Sequence, residues 1–310
     1  MDLVFLGTPH FAVPTLEALI SAGHNVKAVY TQPDRPSGRG QELAQSAVKK
    51  AALAHGIPVL QPERIRRPEE ISKLAGFKVP AMVVVGYGQI LPQAIIDLAP
   101  LGIINVHGSL LPKYRGAAPV QWAIANGETR SGVTTMRINA GMDTGDMLLK
   151  AELAILPEDT SPLLAERLSV LGARLLIDTL SGLKAGSIAA QPQDNAQATY
   201  APILKKEDGR IDFNRPAQQI VDRLRGFTPW PGSNTGFRGS QWKILAAKAG
   251  ESKSDGIPGQ IHADRKHLLI SCGIHTVLEV TELQQEGRKR ITAEAFLNGQ
   301  RPTENEIFGG

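Results

Sequence analysis

Cysteine is nearly absent from this chain of 310 residues, which contains only Cys272. A single cysteine can form neither an intramolecular disulfide nor a thiolate metal cluster, and this scarcity is typical of proteins from a reducing compartment. Cys272 follows the apolar run Leu-Leu-Ile-Ser, which predicts a strand, and buried cysteines of that kind are usually inert. We therefore expect a cytoplasmic protein whose chemistry needs no thiol.

Long apolar runs are also missing. No segment approaches the ~20 apolar residues that a membrane-spanning helix requires. The chain enters Leu3-Val-Phe-Leu-Gly7 without the basic and apolar regions of a signal peptide. The net charge is only +4, which permits an anionic partner without demanding one. We expect no association with membranes.

Two nucleotide-binding motifs are absent as well. Gly7-Thr-Pro-His10 follows the first predicted strand, where a dinucleotide enzyme would carry three glycines in the G-x-G-x-x-G pattern. With one of the three, the backbone cannot wrap a pyrophosphate in the usual way. The chain also has no P-loop lysine motif. Nicotinamide chemistry and ATP hydrolysis are therefore disfavoured.

Alternating strand and helix patterns occupy the first ~185 residues and predict a Rossmann-like, doubly wound, mostly parallel sheet. Residues 81–85 and 103–107 are continuous apolar strands of the kind buried on both faces. After about residue 210, short runs separated by turn residues predict a small antiparallel β-barrel of the OB type. We predict a catalytic domain over residues 1–188, a linker over 189–206 and a β-barrel domain over 207–310.

Asn105 and His107 stand at the end of one of these apolar strands, followed by Gly-Ser109-Leu-Leu-Pro112. Residues two apart in a strand face the same side, and ligands bind at the carboxyl ends of strands in open α/β sheets. An isolated His-x-Ser would more often be a hydrogen-bonded histidine that closes a strand. The glycines and the Leu-Leu-Pro turn that follow favour a site in which an amide and an imidazole act together.

An acidic loop, Gly141-Met-Asp143-Thr-Gly145-Asp146, lies between two further predicted strands. Taken alone it is best explained as a hairpin turn, because Asp-x-Gly is common turn chemistry. A metal site is a weaker alternative, since one histidine and two loop carboxylates specify no coordination geometry.

Together, Asn-x-His, Ser-Leu-Leu-Pro and the acidic loop 36 residues after the histidine resemble the folate-dependent formyltransferases. The resemblance implies that 10-formyltetrahydrofolate is the formyl donor, without a metal, and that Asn105, His107 and Asp143 form the catalytic trio. It also implies a folate site made of two segments, with residues Gly86, Tyr87, Gly88, Gln89, Ile90, Leu91, Ser109, Leu110, Leu111 and Pro112.

Three features are similar to those members of the family that formylate methionyl-tRNA. They are the Gly- and Pro-rich loop of residues 32–40, the Gly226-Phe-Thr-Pro-Trp-Pro231 segment and the appended C-terminal β domain. This similarity implies initiator methionyl-tRNA as the acceptor, with tRNA contacts from Arg35, Arg39, Lys205, Lys206 and Arg210. We expect the protein to be a monomer.

Composition alone explains the basic residues equally well as a solvated surface. Residues 204–310 contain 16 Lys and Arg against 13 Asp and Glu, a small excess of positive charge.

A formyltransferase for a small amine, such as glycinamide ribonucleotide or a nucleotide amino sugar, would share the Asn-His-Asp site. A third hypothesis is that the chain is a non-enzymatic RNA-binding protein. The presence of all three residues of the catalytic trio argues against this hypothesis.

Overall fold

The computed structural model describes residues 1–37, 42–264, 266–304 and 306–309. It divides into two compact units. The first comprises Met1–Pro119, Arg130–Ala154 and Ala165–Ala201, and the second comprises Val120–Thr129, Ile155–Leu164 and Pro202–Gly310. None of the helices in the described ranges has the length and apolar character needed to cross a bilayer.

A seven-stranded sheet forms the centre of the first unit. The strands before residue 160 are β1 (Asp2–Gly7), β2 (Asn25–Tyr30), β3 (Arg35–Ser37), β4 (Glu42–Ala44), β5 (Val59–Leu60), β6 (Ala81–Val85), β7 (Ile103–His107), β8 (Arg130–Arg137) and β9 (Met147–Ala154). Seven of these strands form the sheet, in the order β5-β2-β1-β6-β7-β8-β9, whereas β3 and β4 pair with each other separately. In this order, neighbouring strands from β5 to β7 pair in parallel, whereas the β7–β8 and β8–β9 pairs are antiparallel.

The helices of this part of the chain are α1 (Val13–Ser21), α2 (Ala47–Ala54), α3 (Pro68–Gly76), α4 (Gln93–Ile96), α5 (Pro119–Ala125) and α6 (Ser161–Ala185). The sequence specifies several of their ends. For example, the Ser46 hydroxyl accepts a hydrogen bond from the Lys49 N–H at 3.0 Å and caps α2. The middle of α6 packs closely on the sheet, because a Cβ at Gly172 would lie 2.7 Å from Val106.

The second unit contains an antiparallel sheet of six strands: β10 (Asn234–Phe237), β11 (Ser240–Ala249), β12 (Ile261–Ala263), β13 (Leu268–Ser271), β14 (Val277–Gln285) and β15 (Arg290–Thr292). Helices α7 (Ala217–Gly226) and α8 (Ala293–Gln300) pack against this sheet. Alternate strand residues and the aromatic rings of Phe237, Trp242 and Phe296 form its core.

The structure confirms the predicted class, a mixed α/β fold followed by a small antiparallel β domain. The strands predicted at residues 81–85 and 103–107 coincide with β6 and β7. The predicted loop after β2 contains the short hairpin β3–β4. Arg39, predicted to contact tRNA, lies outside the described residues.

Candidate active site

The sheet order brings the ends of β1, β6 and β7 to one edge. Strand β1 pairs in parallel with both β2 and β6, and the order in which successive strands are added to the sheet reverses between β1 and β6. The segments that follow β1, β2 and β6 meet there, because the Thr8 hydroxyl and the Gln32 side-chain amide each donate to the Tyr87 carbonyl at 3.0 Å. Such a switch point is where open α/β sheets bind ligands.

Asn105 and His107 end β7 at this edge and are only 9% and 6% exposed. They face away from α6, since the intervening Val106 packs beneath Gly172 of that helix. Within the described residues, the Asn105 side-chain amide has no hydrogen-bond partner. A nearly buried amide without a partner is unusual, and it leaves a donor available to a bound molecule.

The two ring nitrogens of His107 have different neighbours. Nε2 lies 2.9 Å from the Tyr114 carbonyl oxygen, and Nδ1 lies 3.6 Å from Oδ2 of Asp143. A carbonyl oxygen can only accept a hydrogen bond. Nε2 therefore carries a proton and donates a hydrogen bond to the Tyr114 carbonyl. In the neutral ring Nδ1 is then unprotonated, and a proton gained there faces the Asp143 carboxylate.

Asp143 lies in the connection between β8 and β9, whose antiparallel pairing confirms the predicted hairpin. Its φ of +52° is in the left-handed region, which Asp tolerates better than most residues. The Gly116 backbone N–H donates to Oδ2 at 2.8 Å. The structure thus brings together the three residues that the sequence could not place relative to one another.

The turn after β7 is braced by Thr134 of β8. The Thr134 hydroxyl donates to the Ser109 carbonyl at 2.7 Å and accepts from the Leu111 N–H at 3.1 Å. Ser109 uses its own hydroxyl to donate to the Lys113 carbonyl at 2.6 Å. Tyr114 has a φ of +60°, a conformation that costs about 1–3 kcal/mol for such a residue and that accompanies the contact of its carbonyl with His107.

Of the ten predicted folate residues, Leu110 and Pro112 are half-buried and the other eight fall into two groups. Tyr87, Leu91, Ser109 and Leu111 are buried, and the Gln89 amide bonds to the Ile65 N–H and the Pro62 carbonyl, so these side chains shape the loops. By contrast, Gly86 and Gly88 are exposed and Ile90 is 89% exposed. Within the described residues, the backbone N–H groups of Tyr87, Gly88 and Ile90 have no acceptor, so the loop offers polar backbone groups beside an apolar side chain.

The predicted tRNA contacts that the structure describes are all on the surface. The Arg35 guanidinium forms an ion pair with Glu63 at 2.7 Å, which compensates part of its charge. Lys205, Lys206 and Arg210 are exposed around a short 3-10 turn. Arg210 also lines a surface cavity of the second unit together with Arg215 and Arg223.

Cysteine and metal chemistry find no support in the described part of the chain. Burial raises the pKa of the Cys272 thiol to about 12, which keeps it protonated at neutral pH. Among the described residues, no three His, Cys, Asp or Glu side chains cluster as metal ligands would.

Two polar residues of the site had no predicted role. Arg115 is 2% exposed and donates to the side-chain oxygens of Gln193 and Asn195. Gln193 in turn donates to the carbonyls of Asp143 and Gly145. For Arg115 the sequence offered only a weak signal, its position close to the Leu-Leu-Pro turn. For Gln193 the sequence offered no signal, because this residue lies 50 residues from Asp143 in a polar segment.

Replacing Gly116 with alanine should lower activity more than stability alone explains. Its φ is +117°, and a Cβ would lie 2.7 Å from the Ala201 carbonyl oxygen, so the backbone N–H that holds Asp143 must move. We expect kcat to fall at least about 10-fold, because displaced catalytic groups are costly. Steady-state kinetics and thermal unfolding measure both effects.

Gly23→Ala is the matched control, because Gly23 also has a positive φ, +74°, but open space around it. That variant should lose about 1–2 kcal/mol of stability and keep its kcat. Equal kcat values in the two variants would contradict the role given to the Gly116 N–H.

Family models agree with the two-part organisation of the chain. The formyl transferase model matches residues 1–180, and the model of the formyl transferase C-terminal domain matches residues 203–301.

Solved structures share the fold at low sequence identity. An N-formyltransferase from Helicobacter canadensis, in complex with folinic acid and dTDP-3-aminofucose, has a TM-score of 0.66 and 19% identity, over 91% of this chain and 98% of that one. HypX from Aquifex aeolicus, in complex with tetrahydrofolic acid, has a TM-score of 0.61 and 16% identity, over 95% of this chain and 46% of that one.

Full-length relatives are much closer in sequence. The methionyl-tRNA formyltransferase of Solibacter usitatus is 60% identical over 309 residues, which cover 100% of this chain and 99% of the relative. That of Koribacter versatilis is 58% identical over 310 residues, again covering 100% and 99%. The chain therefore belongs to the formyltransferase family and, within it, to the methionyl-tRNA formyltransferases.

Proposed function

We propose that this protein transfers the formyl group of 10-formyltetrahydrofolate to the α-amine of initiator methionyl-tRNA, as a monomer in the cytoplasm. The observation that carries the proposal is the arrangement of Asn105, His107 and Asp143 at the switch edge of the sheet. An unpartnered amide donor lies two residues from an imidazole whose Nδ1 faces a carboxylate at 3.6 Å. Transfer of an acyl group between nitrogens needs an oxyanion donor and a proton carrier.

Attack of the amine on the formyl carbon turns the formyl oxygen into an oxyanion. The Asn105 amide is the donor that stabilises this oxyanion, and it is available because no residue in the described part of the chain occupies it. His107 accepts the proton of the attacking amine at Nδ1 and returns it to the departing N10. Asp143 stabilises the imidazolium that forms in between. No covalent bond to the protein is needed.

The amine must be neutral when it attacks. A free α-amino group titrates at about 7.7–8.0, so deprotonation costs little free energy near neutral pH. A modest base therefore suffices, and the His107 imidazole is the group placed to act as one.

The donor site is built from the 86–91 loop and the 109–112 turn. Backbone N–H groups at Tyr87, Gly88 and Ile90 can hydrogen-bond to the polar edge of a pterin, and the exposed Ile90 side chain can cover its face. Residues such as Gln89 and Leu111 hold these backbone segments in place. The folate ligands of the two related structures are consistent with this assignment.

We assign contacts with the tRNA to basic residues in each of the two parts of the sequence. We assign residues 1–188 to catalysis, residues 189–206 to a linker and residues 207–310 to tRNA binding. Arg35 and Arg39 belong to the segment after β2 and contact the end of the acceptor stem. Lys205, Lys206 and Arg210 contact phosphates of the tRNA body.

Several basic side chains of the second unit gather around one small surface cavity. Its lining includes the side chains of Arg210, Arg215 and Arg223 against Asp208 and Asp212. Asp212 forms an ion pair with Arg215 at 3.6 Å and accepts from Asn214, and the Asp208 side chain accepts from the Lys205 N–H. Burial, followed by the charge of the nearby Arg215, lowers the pKa of Arg223, and the charges of Asp208 and Asp212 oppose this shift.

A direct assay tests the proposed function. The purified protein is mixed with 10-formyltetrahydrofolate and with initiator methionyl-tRNA, elongator methionyl-tRNA or a small amine substrate. We expect formylmethionine on the initiator tRNA alone. Formylation of glycinamide ribonucleotide or of a nucleotide amino sugar, without formylation of the tRNA, would contradict the proposal and support the small-amine alternative.

Replacing both Lys205 and Lys206 with alanine should weaken tRNA binding without changing the chemistry. We expect KM for methionyl-tRNA to rise about 10-fold at about 150 mM salt, with kcat unchanged. The slope of log K against log salt should become shallower by about one for each phosphate that the protein no longer binds. Lys73→Ala, which removes a surface lysine paired with Glu70, is the control. An unchanged salt slope would contradict the assignment.

A further inference from the structure

Residues 191–201, which we call the strap, hold two segments of the active site. The Gln191 backbone exchanges two hydrogen bonds of 2.8 Å with Met147 of β9. Further along, the Arg115 N–H donates to the Thr199 carbonyl at 2.9 Å, and the Ala201 N–H donates to the Arg115 carbonyl at 2.7 Å. The strap therefore spans from the β8–β9 hairpin to the turn that follows β7.

Gln193 of the strap bonds to both segments through its side chain. Its Nε2 donates to the carbonyls of Asp143 and Gly145, each at 2.8 Å. Its Oε1 accepts from Nε and from a terminal nitrogen of Arg115, at 3.0 and 2.8 Å. All four hydrogen-bonding positions of the amide are thus occupied. The reverse orientation would turn N–H groups towards the guanidinium, so Arg115 determines which way the amide faces.

The guanidinium of Arg115 is well suited to this task. It is buried, charged and rigid, and a third hydrogen bond, of 2.9 Å to Asn195, fixes its orientation within the strap. Hydrogen bonds from a charged group to the Gln193 oxygen polarise the amide, which strengthens the two N–H donors on its other side.

We propose that Gln193 is a positioning residue that keeps the Asp143 carboxylate beside Nδ1 of His107. The Gly116 N–H donates to the Asp143 carboxylate itself, whereas the Gln193 side chain donates to the Asp143 backbone carbonyl. Without Gln193, the carbonyls of Asp143 and Gly145 lose their amide donor and the left-handed conformation of Asp143 loses a support. This inference rests on the role of Asp143 in the proposed function.

Two substitutions separate positioning from folding. Gln193→Glu keeps an oxygen for Arg115 but has no N–H for the two carbonyls at neutral pH, so the strap should stay in place while the loop is released. Gln193→Ala removes both sets of bonds. Gln197→Ala is the matched control, because Gln197 is an exposed glutamine of the strap whose side chain bonds to Asp194. Steady-state kinetics with both substrates and thermal unfolding are measured for each variant.

We expect both Gln193 variants to lose about 10- to 100-fold in kcat, the cost typical of a catalytic group displaced by about 1 Å. KM for the donor and for methionyl-tRNA should stay within about twofold, because Gln193 acts on the reacting centre. Gln197→Ala should match the wild type. A wild-type kcat in folded Gln193→Glu would overturn the inference, as would equal losses in kcat and in the folded fraction.

A double-mutant cycle tests whether Gln193 acts through Asp143. In the Asp143→Asn background, Gln193→Glu should cause no further loss in single-turnover rate, because the group that it positions is already gone. Losses that multiply would overturn the inference. Neither result bears on the proposed function, which fails separately if the wild-type protein does not formylate initiator methionyl-tRNA.

Discussion

Replacing His107 with alanine should lower kcat/KM for methionyl-tRNA by about 10²–10⁴, the range measured for loss of a general acid–base group. The structure gives the reason. Nε2 is committed to the Tyr114 carbonyl, so the ring has one available nitrogen, Nδ1, and this nitrogen faces Asp143 at 3.6 Å. Alanine removes the imidazole that ends β7, and the proton must then pass through water.

Single-turnover kinetics with preformed complex measure the chemical step directly. His55→Ala is a suitable control, because His55 is a half-exposed residue paired with Glu17 on the surface, and its loss should leave kcat/KM unchanged. Because His107 is nearly buried, thermal unfolding must show that the variant is folded. A folded His107→Ala protein with near-normal kcat/KM would refute the mechanism.

Replacing Asn105 with alanine should reduce kcat by about 10²–10³, which corresponds to about 2.7–4 kcal/mol of transition-state stabilisation. The amide is 9% exposed and lacks a partner in the described part of the chain, so its removal breaks no hydrogen bond there. The effect should therefore appear in kcat, with little change in stability or in KM for the donor.

Asn105→Asp sharpens this experiment, since it preserves the shape of the side chain but replaces a donor with a negative charge. It should reduce kcat at least as much as alanine does, because the carboxylate repels the developing oxyanion. Asn25→Ala is the control. It removes a surface amide that donates to Asp2 at the opposite end of the parallel strands. If Asn105→Asp were as active as the wild type, the amide could not be the oxyanion donor.

Local patterns predicted the framework of the molecule well. The strands at residues 81–85 and 103–107 were correct to the residue, because strands buried on both faces are made mostly of consecutive apolar residues, which stand out from the polar segments around them. Short elements such as α5 and β15 were not predicted, since seven and three residues carry too little periodicity.

Pairing with distant segments decided the rest. The alternation of side chains along β7 placed Asn105 and His107 on one face, and this followed from the sequence alone. The separation of 3.6 Å between His107 and Asp143 did not, since it depends on the Gly116 N–H and on Gln193. Likewise, only the structure shows that Glu63 neutralises part of the charge on Arg35.

The sequence by itself determined the fold class, the strand that carries Asn105 and His107 and, through its motifs, the family. Each of these depends on patterns among neighbouring residues. Apolar side chains recur every 2 residues in a strand and every 3.6 residues in a helix, and the sequence shows both periods directly. The tertiary structure alone decided how Asp143 reaches His107 and how Arg115 and Gln193 bond to each other and to the Asp143 loop. These contacts join segments 27 to 78 residues apart, largely through backbone N–H and carbonyl groups. Every residue type supplies such groups, apart from the N–H that proline lacks, so the sequence carries no mark of which ones will meet.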